Sequence, residues 1–184
     1  KSKSFSINVL EERTKILLVS DIVHPDIGKL KKAIETNKQR EVVLKSTANY
    51  SDKVKDYQLV IVYQPTESYT SVLKNILKNK QHFFIISGSQ TDWNFLNKIQ
   101  PYFKKEVISQ TENYFPKINL EYQSYVIDDI GFKSFSPLED TFGEVSFNTP
   151  LNTLLYQKIG AFETDKPMLA TFETDGLKAG VLFG

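Results

Sequence analysis

The sequence contains no cysteine, and that absence removes several kinds of chemistry at once. Its 184 residues include no thiol to form a disulfide bond, to bind zinc or to act as a nucleophile. The net charge is only +1, so no overall field attracts nucleic acid or anionic lipid. No apolar run reaches the length that spans a bilayer. We therefore expect neither a nucleic-acid partner nor direct insertion of this segment into a membrane.

Glycine-rich phosphate loops are also missing. Neither the G-x-x-x-x-G-K-[ST] pattern nor the G-x-G-x-x-G pattern occurs, so we expect no cofactor. Asp21, His24 and Asp26 offer oxygen and imidazole groups close together, which is one way to hold a metal ion. A simpler interpretation is a loop with Asp26 as the N-cap of a helix, and we favour it. We expect no metal site.

Apolar runs alternate with amphipathic segments in the first part of the chain. Helical spacing predicts one helix from Asp26 to about Thr36 and another from Tyr69 to Leu77. Four segments have the pattern of buried strands: 15–20, 41–46, 56–63 and 82–86. Alternating strands and helices favour parallel strands joined by right-handed crossovers. The pattern predicts an α/β fold with a flavodoxin-like, mostly parallel sheet that carries helices on both faces.

The character of the chain changes after Pro101. Residues 106–149 are rich in aromatic side chains, and we interpret them as short strands and loops. Further strands are predicted at 154–159 and 167–172, and Thr174-Asp175-Gly176 is typical of a hairpin turn before a return strand at 177–183. These strands predict an antiparallel C-terminal extension of the sheet.

The domain organisation follows from these patterns. We predict a lead-in segment over residues 1–14, with a weakly alternating strand at 5–10, and then one α/β domain over 15–184. Within that domain, 15–105 form the parallel half and 106–184 form the remainder, which is rich in strands and loops.

The most informative stretch is HFFIISGSQTDW, residues 82–93. Its four apolar residues suit a central strand buried on both faces, Gly88 permits a tight turn, and Thr91 or Asp92 can cap a helix. This arrangement predicts that Phe84→Ala strongly destabilises the domain. Ser89→Ala, at the carboxyl edge of the sheet, should cost less than about 1 kcal/mol.

Open α/β sheets bind ligands at the carboxyl edges of their strands. Ser89 is a weak candidate nucleophile there, because the G-x-S-x-G pattern is absent and a serine needs a base such as His24 nearby. His82 stands at the amino end of its strand, roughly 15 Å away at about 3.3 Å per residue. The residues expected at the ligand-binding edge are Asp21, His24, Tyr63, Ser87, Gly88 and Ser89.

The order of four motifs resembles the class I glutamine amidotransferase-like domains. The matching pieces are KILLVSDIVHPDIGKLKKAIE, DYQLVIVYQP, FFIISGSQTDW and KPMLATFETDGLKAGVLFG, which together span about residues 15–184. The version of the domain that the sequence resembles occurs inside membrane-anchored bacterial proteins with von Willebrand A-type segments. The resemblance therefore implies a piece of a larger, membrane-associated bacterial protein, with an extracytoplasmic location as one expectation.

The same resemblance implies an elbow cysteine followed by a histidine and an acid near the end of the domain. This chain has Ser87 and Ser89 at the elbow, and both of its histidines, His24 and His82, precede it. We therefore expect a non-catalytic interaction or scaffolding domain whose partners are other domains of the parent chain or another protein. A serine-dependent hydrolase or amidase using Ser89, and a small-ligand site at the carboxyl edge, are the alternatives.

Overall fold

The computed structural model describes residues 13–50, 53–122, 127–128 and 130–184. The strand expected at 5–10 lies outside the described residues. The described helices are α1 (Pro25–Glu35), α2 (Thr70–Lys78) and α3 (Trp93–Ile99). The described strands are β1 (Thr14–Val19), β2 (Arg40–Lys45), β3 (Leu59–Tyr63), β4 (Phe83–Ile86), β5 (Phe103–Ile118), β6 (Leu138–Phe147), β7 (Leu151–Ile159), β8 (Phe162–Thr174) and β9 (Leu177–Leu182).

These nine described strands form one mixed sheet in the order β2-β1-β3-β4-β9-β8-β7-β5-β6. Every pairing from β2 to β9 is parallel, and every pairing from β9 to β6 is antiparallel. The prediction of an α/β fold is confirmed, as is the presence of both strand orientations. In chain order, the antiparallel strands β5 to β8 come between β4 and the last strand, β9. The antiparallel part is therefore an insertion in the chain, and not the expected C-terminal extension.

Burial on both faces explains the apolar runs of the parallel strands. In β1, Leu17 and Val19 point to one face of the sheet, whereas Ile16 and Leu18 point to the other. Helices α2 and α3 pack on the first face and α1 packs on the second, so each face of the parallel part contacts at least one helix. Parallel strands need such cover because both of their faces are apolar.

The beginnings of two helices show how local sequence sets their ends. Asp92 is the N-cap of α3, and its carboxylate accepts a hydrogen bond of 2.9 Å from the backbone N–H of Phe95. For α1 the expected cap was wrong: His24 is the N-cap and accepts from the N–H of Asp26, while Pro25 begins the helix. Proline suits that first position because its fixed φ is already helical. Asp26 is therefore the second residue of α1.

The segment 106–149 is more regular than the aromatic pattern suggested. Instead of short strands, it contains most of the 16-residue strand β5 and all of the 10-residue strand β6, which pair with each other across a β-bulge between Val107 and Thr111. The expected boundary at residue 105 falls inside β5. The parallel and antiparallel parts belong to one continuous sheet, because β9 pairs with β4 on one side and with β8 on the other.

The predicted hairpin turn is confirmed. Strand β8 ends at Thr174 and β9 begins at Leu177, with Asp175 at φ 49° and Gly176 at φ 78°. Positive φ at both central residues is the geometry that an Asp-Gly turn favours in tight hairpins. Because β9 pairs with β8 on one side and with β4 on the other, this turn returns the chain to the parallel part.

Strand β4 lies between β3 and β9, as expected for a central strand, but it is not buried throughout. Phe83, Ile85 and Ile86 are buried, whereas Phe84 is only partly buried. The Phe84 ring lies against Gly180 on β9, where an added Cβ would come within 2.6 Å of it. Phe84 packs only partly against the apolar cluster on this face, so the expectation of complete burial was wrong.

Candidate functional site

The carboxyl ends of β1, β3, β4 and β9 meet at one edge of the sheet, because these strands are parallel. All six residues expected at a ligand-binding edge lie at the carboxyl ends of these strands or in the loops that follow them. Their side chains do not converge on one point. Instead they divide into a group around Asp21 and Tyr63, a turn around Gly88, and a buried cluster that contains Ser87.

Asp21 connects three loops at this edge. Its carboxylate accepts hydrogen bonds from the backbone N–H of Thr47 at 2.7 Å, the hydroxyl of Thr47 at 2.8 Å and the hydroxyl of Ser68 at 2.7 Å. Partial burial tends to raise the pKa of Asp21, but the bonds from Ser68 and Thr47 outweigh that effect and lower it. Asp21 is thus a charged carboxylate whose bonds hold the loops that follow β1, β2 and β3.

A second group joins the first loop to the end of β3. The hydroxyl of buried Tyr69 donates to the carbonyl of Tyr63 at 3.0 Å and accepts from the N–H of Asp21 at 2.9 Å. The Tyr63 hydroxyl lies 3.5 Å from Nδ1 of His24, and the two rings stack. Burial raises the pKa of Tyr63, assisted by the negative charge of Asp26 and opposed by a bond with Gln64. His24 is therefore engaged by both the helix cap and this ring contact.

The turn after β4 depends on Gln64, which sequence reasoning did not single out. Gln64 has φ 46°, an uncommon backbone conformation that costs about 1–3 kcal/mol and is often found at functional sites. Its side-chain oxygen accepts from the N–H of Gln90 at 2.9 Å, and its amide group fills the space beside Gly88. Ser89 is exposed, and no hydrogen bond joins this described residue to His24.

Ser87 points away from the edge and into the protein. It is fully buried, and its hydroxyl donates to Oδ2 of Asp140 on β6 at 2.7 Å. Oδ1 of the same carboxylate accepts from the backbone N–H of Thr141 at 2.7 Å and from the indole N–H of Trp93 at 3.4 Å. The elbow serine is thereby tied to the antiparallel part of the sheet.

Lys105 on β5 completes this buried cluster. Its Nζ lies 2.8 Å from Oδ2 of Asp140, and the side chains of both residues are 0% exposed. The ammonium group lies over the rings of Trp93, Tyr114 and Phe183, with centroid distances of 4.9, 5.6 and 5.8 Å. Burial lowers the pKa of Lys105, although the Asp140 carboxylate opposes that shift. No local sequence pattern marks this pair, because its members are 35 residues apart.

The described part of the chain has several surface depressions large enough to receive a small molecule or a side chain. A cleft of about 470 Å³ lies between the loops after β1 and β2, lined by Asp21, His24, Gly28, Lys45 and Asn49, among others. A groove of about 540 Å³ lies at the far end of the antiparallel part, and its apolar lining is formed by Phe115, Pro116, Ile118, Leu120 and Phe132. We call this second depression the distal groove.

Two kinds of feature are absent from the described part of the chain. There, no group of three or more histidine, aspartate or glutamate side chains is placed to hold a metal ion. None of the described helices combines the length and apolar character needed to cross a bilayer.

Comparison with known proteins gives a likeness in fold alone. Neither the protein-family models nor the curated proteins provide a match. Among solved structures, the chain is similar to alpha-L-fucosidase isoenzyme 2 from Paenibacillus thiaminolyticus, with a TM-score of 0.54 and 9% sequence identity. The similarity covers 93% of this chain but only 29% of the fucosidase chain. At that identity the comparison supports only the mixed α/β architecture. The matched region is less than a third of the fucosidase chain.

Proposed function

We propose that this chain is a non-catalytic interaction or scaffolding domain within a larger, membrane-associated bacterial protein. We further propose that its parallel part is a flavodoxin-like unit of the glutamine amidotransferase-like kind. The strand order β2-β1-β3-β4-β9 supports that assignment, since it corresponds to the flavodoxin order with β9 as the fifth strand. Two short 3-10 turns, Thr47–Asn49 and Val54–Asp56, occupy the connection in which a helix would join β2 to β3.

The main support is that the polar groups of the carboxyl edge are occupied by internal bonds. Asp21 holds three loops, His24 caps α1, and Ser87 is buried against Asp140. Catalysis by a serine requires a base within hydrogen-bond reach of an accessible hydroxyl. Ser89 has the accessible position but lacks the bond to His24, whereas Ser87 has buried partners and no exposure. Neither serine combines the two requirements.

Exposed apolar side chains around the distal groove support an interaction role. Leu120 is 87% exposed beside the groove, and Phe162 is 79% exposed at the β7–β8 turn. Large exposed apolar side chains close to a groove are a common feature of surfaces that contact another protein. The proposed occupant is an apolar segment from another domain of the parent protein, because apolar side chains form most of the groove lining, alongside the charged Lys117, Lys158 and Glu163.

Enzyme assays test the non-catalytic proposal. The purified domain should show no hydrolysis of glutamine or of small esters above the rate without protein, because its edge lacks an activated nucleophile. Ser89→Ala should leave that background unchanged. Exposed Ser71 on α2 provides a matched control as Ser71→Ala. Turnover that disappears with Ser89→Ala but persists with Ser71→Ala would establish the serine hydrolase alternative instead.

Cross-linking tests the interaction proposal in the full-length parent protein. Lys158 borders the distal groove, so a lysine-reactive reagent should join it to a segment outside this domain. Leu120→Ser removes apolar surface at the groove and should reduce those cross-links several-fold. Val23→Ser is the matched control, since Val23 is also a highly exposed apolar residue but lies in the loop after β1. Equal cross-linking in both variants would contradict a docking role for the groove.

Small-ligand binding at the carboxyl edge is the second candidate. It is favoured by the 470 Å³ cleft, which combines the charged groups of Asp21 and Lys45 with an apolar wall from Ile22 and Val23. Such a site fits a small polar molecule with one apolar side.

A further inference from the structure

In the buried Lys105–Asp140 pair, an amine and a carboxyl group lie close enough to condense into an amide. An amine and a carboxyl group form an amide when the amine is neutral, the carboxyl is neutral, and water is excluded. Here the nitrogen and a carboxyl oxygen are 2.8 Å apart, both side chains are inaccessible to solvent, and three aromatic rings surround the amine. We propose that Lys105 and Asp140 form an intramolecular isopeptide bond between β5 and β6.

The first step is a proton transfer along the existing hydrogen bond. The Lys105 ammonium group gives a proton to Oδ2 of Asp140, which leaves a neutral amine beside a neutral carboxylic acid. Separated charges are costly in an apolar site, so burial favours this neutral pair relative to the same pair in water. The downward shift in the pKa of Lys105 has the same physical cause.

The second step is attack on the carboxyl carbon. The lone pair of Nζ forms a bond to Cγ of Asp140, and the electrons of the Cγ–Oδ1 double bond move onto Oδ1. The backbone N–H of Thr141 and the indole N–H of Trp93 both point at Oδ1, at 2.7 and 3.4 Å. Two N–H donors on one oxygen form the kind of hole that stabilises a developing oxyanion.

The third step expels water. A proton on Nζ passes directly to Oδ2, which lies 2.8 Å from Nζ in the starting pair, and the Ser87 hydroxyl, 2.7 Å from the same oxygen, donates a hydrogen bond to it. The Cγ–Oδ2 bond then breaks with its electron pair, Oδ2 leaves as water, and the Cγ–Oδ1 double bond forms again. The balance is one ammonium and one carboxylate converted into one amide and one water, with no oxidant, reductant or added cofactor.

This inference is independent of the proposed interaction role. It assigns a role to the buried Lys105–Asp140 pair, which has no part in that interaction role. It also explains why a lysine is buried among aromatic rings. An amide would join the long strands β5 and β6 covalently, in a chain that has no cysteine for a disulfide bond.

Intact-mass measurement of the denatured, purified protein tests the proposal. The expected mass is that of the sequence minus one water molecule. After digestion with trypsin, the chain should not be cut after Lys105, and the peptides 105–117 and 134–158 should appear as one branched species. Lys105→Arg, which keeps a cation but cannot form this amide, should have the full mass of its sequence. A wild-type mass equal to that of its sequence, both fresh and after prolonged incubation, would overturn the proposal.

The variant Asp140→Asn separates this reaction from accidental loss of water elsewhere. Its side-chain amide would lose ammonia rather than water, so the condensed variant should have the same mass as the condensed wild type. Loss of water that persists in Lys105→Arg would place the modification at another site and would also overturn the assignment.

Discussion

Asp140→Ala is expected to cause a loss of about 3–5 kcal/mol in the free energy of unfolding, because it removes both the amide to Lys105 and the carboxylate, and so leaves the Lys105 ammonium group buried without a partner. The change also removes the acceptor for the Ser87 hydroxyl and the backbone N–H of Thr141. Domains are typically stable by only about 5–15 kcal/mol, so the variant should be largely unfolded under mild denaturing conditions. Denaturant titration followed by circular dichroism measures the loss.

Two controls distinguish the loss of the Lys105–Asp140 pair from general damage to β6. Glu139→Ala changes the preceding, exposed residue and should shift the free energy of unfolding by less than about 0.5 kcal/mol. The double variant Lys105→Met/Asp140→Leu replaces the whole pair with apolar side chains and should recover much of the lost stability. A double variant as unstable as Asp140→Ala would mean that burial of Lys105 is not the source of the loss.

Phe83→Ala should be comparably destabilising, with a cost of about 3–5 kcal/mol, because it opens a cavity in the largest buried cluster. Phe83 is 2% exposed, and its ring contacts those of Tyr102 and Phe172 at centroid distances of 5.9 and 6.2 Å. Its neighbour Phe84 is only partly buried, so Phe84→Ala should cost clearly less. Thermal unfolding of the two variants side by side measures the difference.

Ser89→Ala is the matched reference for the same strand and turn. Ser89 is exposed, and its loss should change the free energy of unfolding by less than about 0.5–1 kcal/mol. A loss from Ser89→Ala as large as that from Phe83→Ala would show that the Ser89 side chain has a structural partner. A Phe84→Ala variant less stable than Phe83→Ala would mean that the open face of β4 is covered in solution.

The parallel part was predictable to within a few residues because its signals are local. Apolar runs bounded by Pro65 or by Gly88 identify strands directly, and helical spacing identifies α1 and α2. The antiparallel part was less predictable. Long strands such as β5 carry mixed polar and apolar residues, and the bulge between Val107 and Thr111 interrupts their alternation. The sequence pattern there looks irregular although the backbone is regular.

The candidate site divides in the same way. The edge residues Asp21, His24 and Tyr63 were predictable, since they follow or end parallel strands whose carboxyl ends share an edge. The helix cap was misassigned because Asp26 and His24 both can accept a backbone N–H, and only the position of Pro25 at the start of α1 selects between them. The strained backbone of Gln64 carries no sequence signature beyond its place before Pro65.

The sequence by itself determined the α/β character, the four first strands and the Asp-Gly hairpin, because hydrophobic period and turn chemistry act over a few residues. Only the tertiary structure decided that β9 returns to pair with β4, that Phe84 keeps an accessible side, and that Lys105 meets Asp140. Each of these depends on which strands become neighbours. That choice is made by packing between segments far apart in the chain, and no local pattern records it.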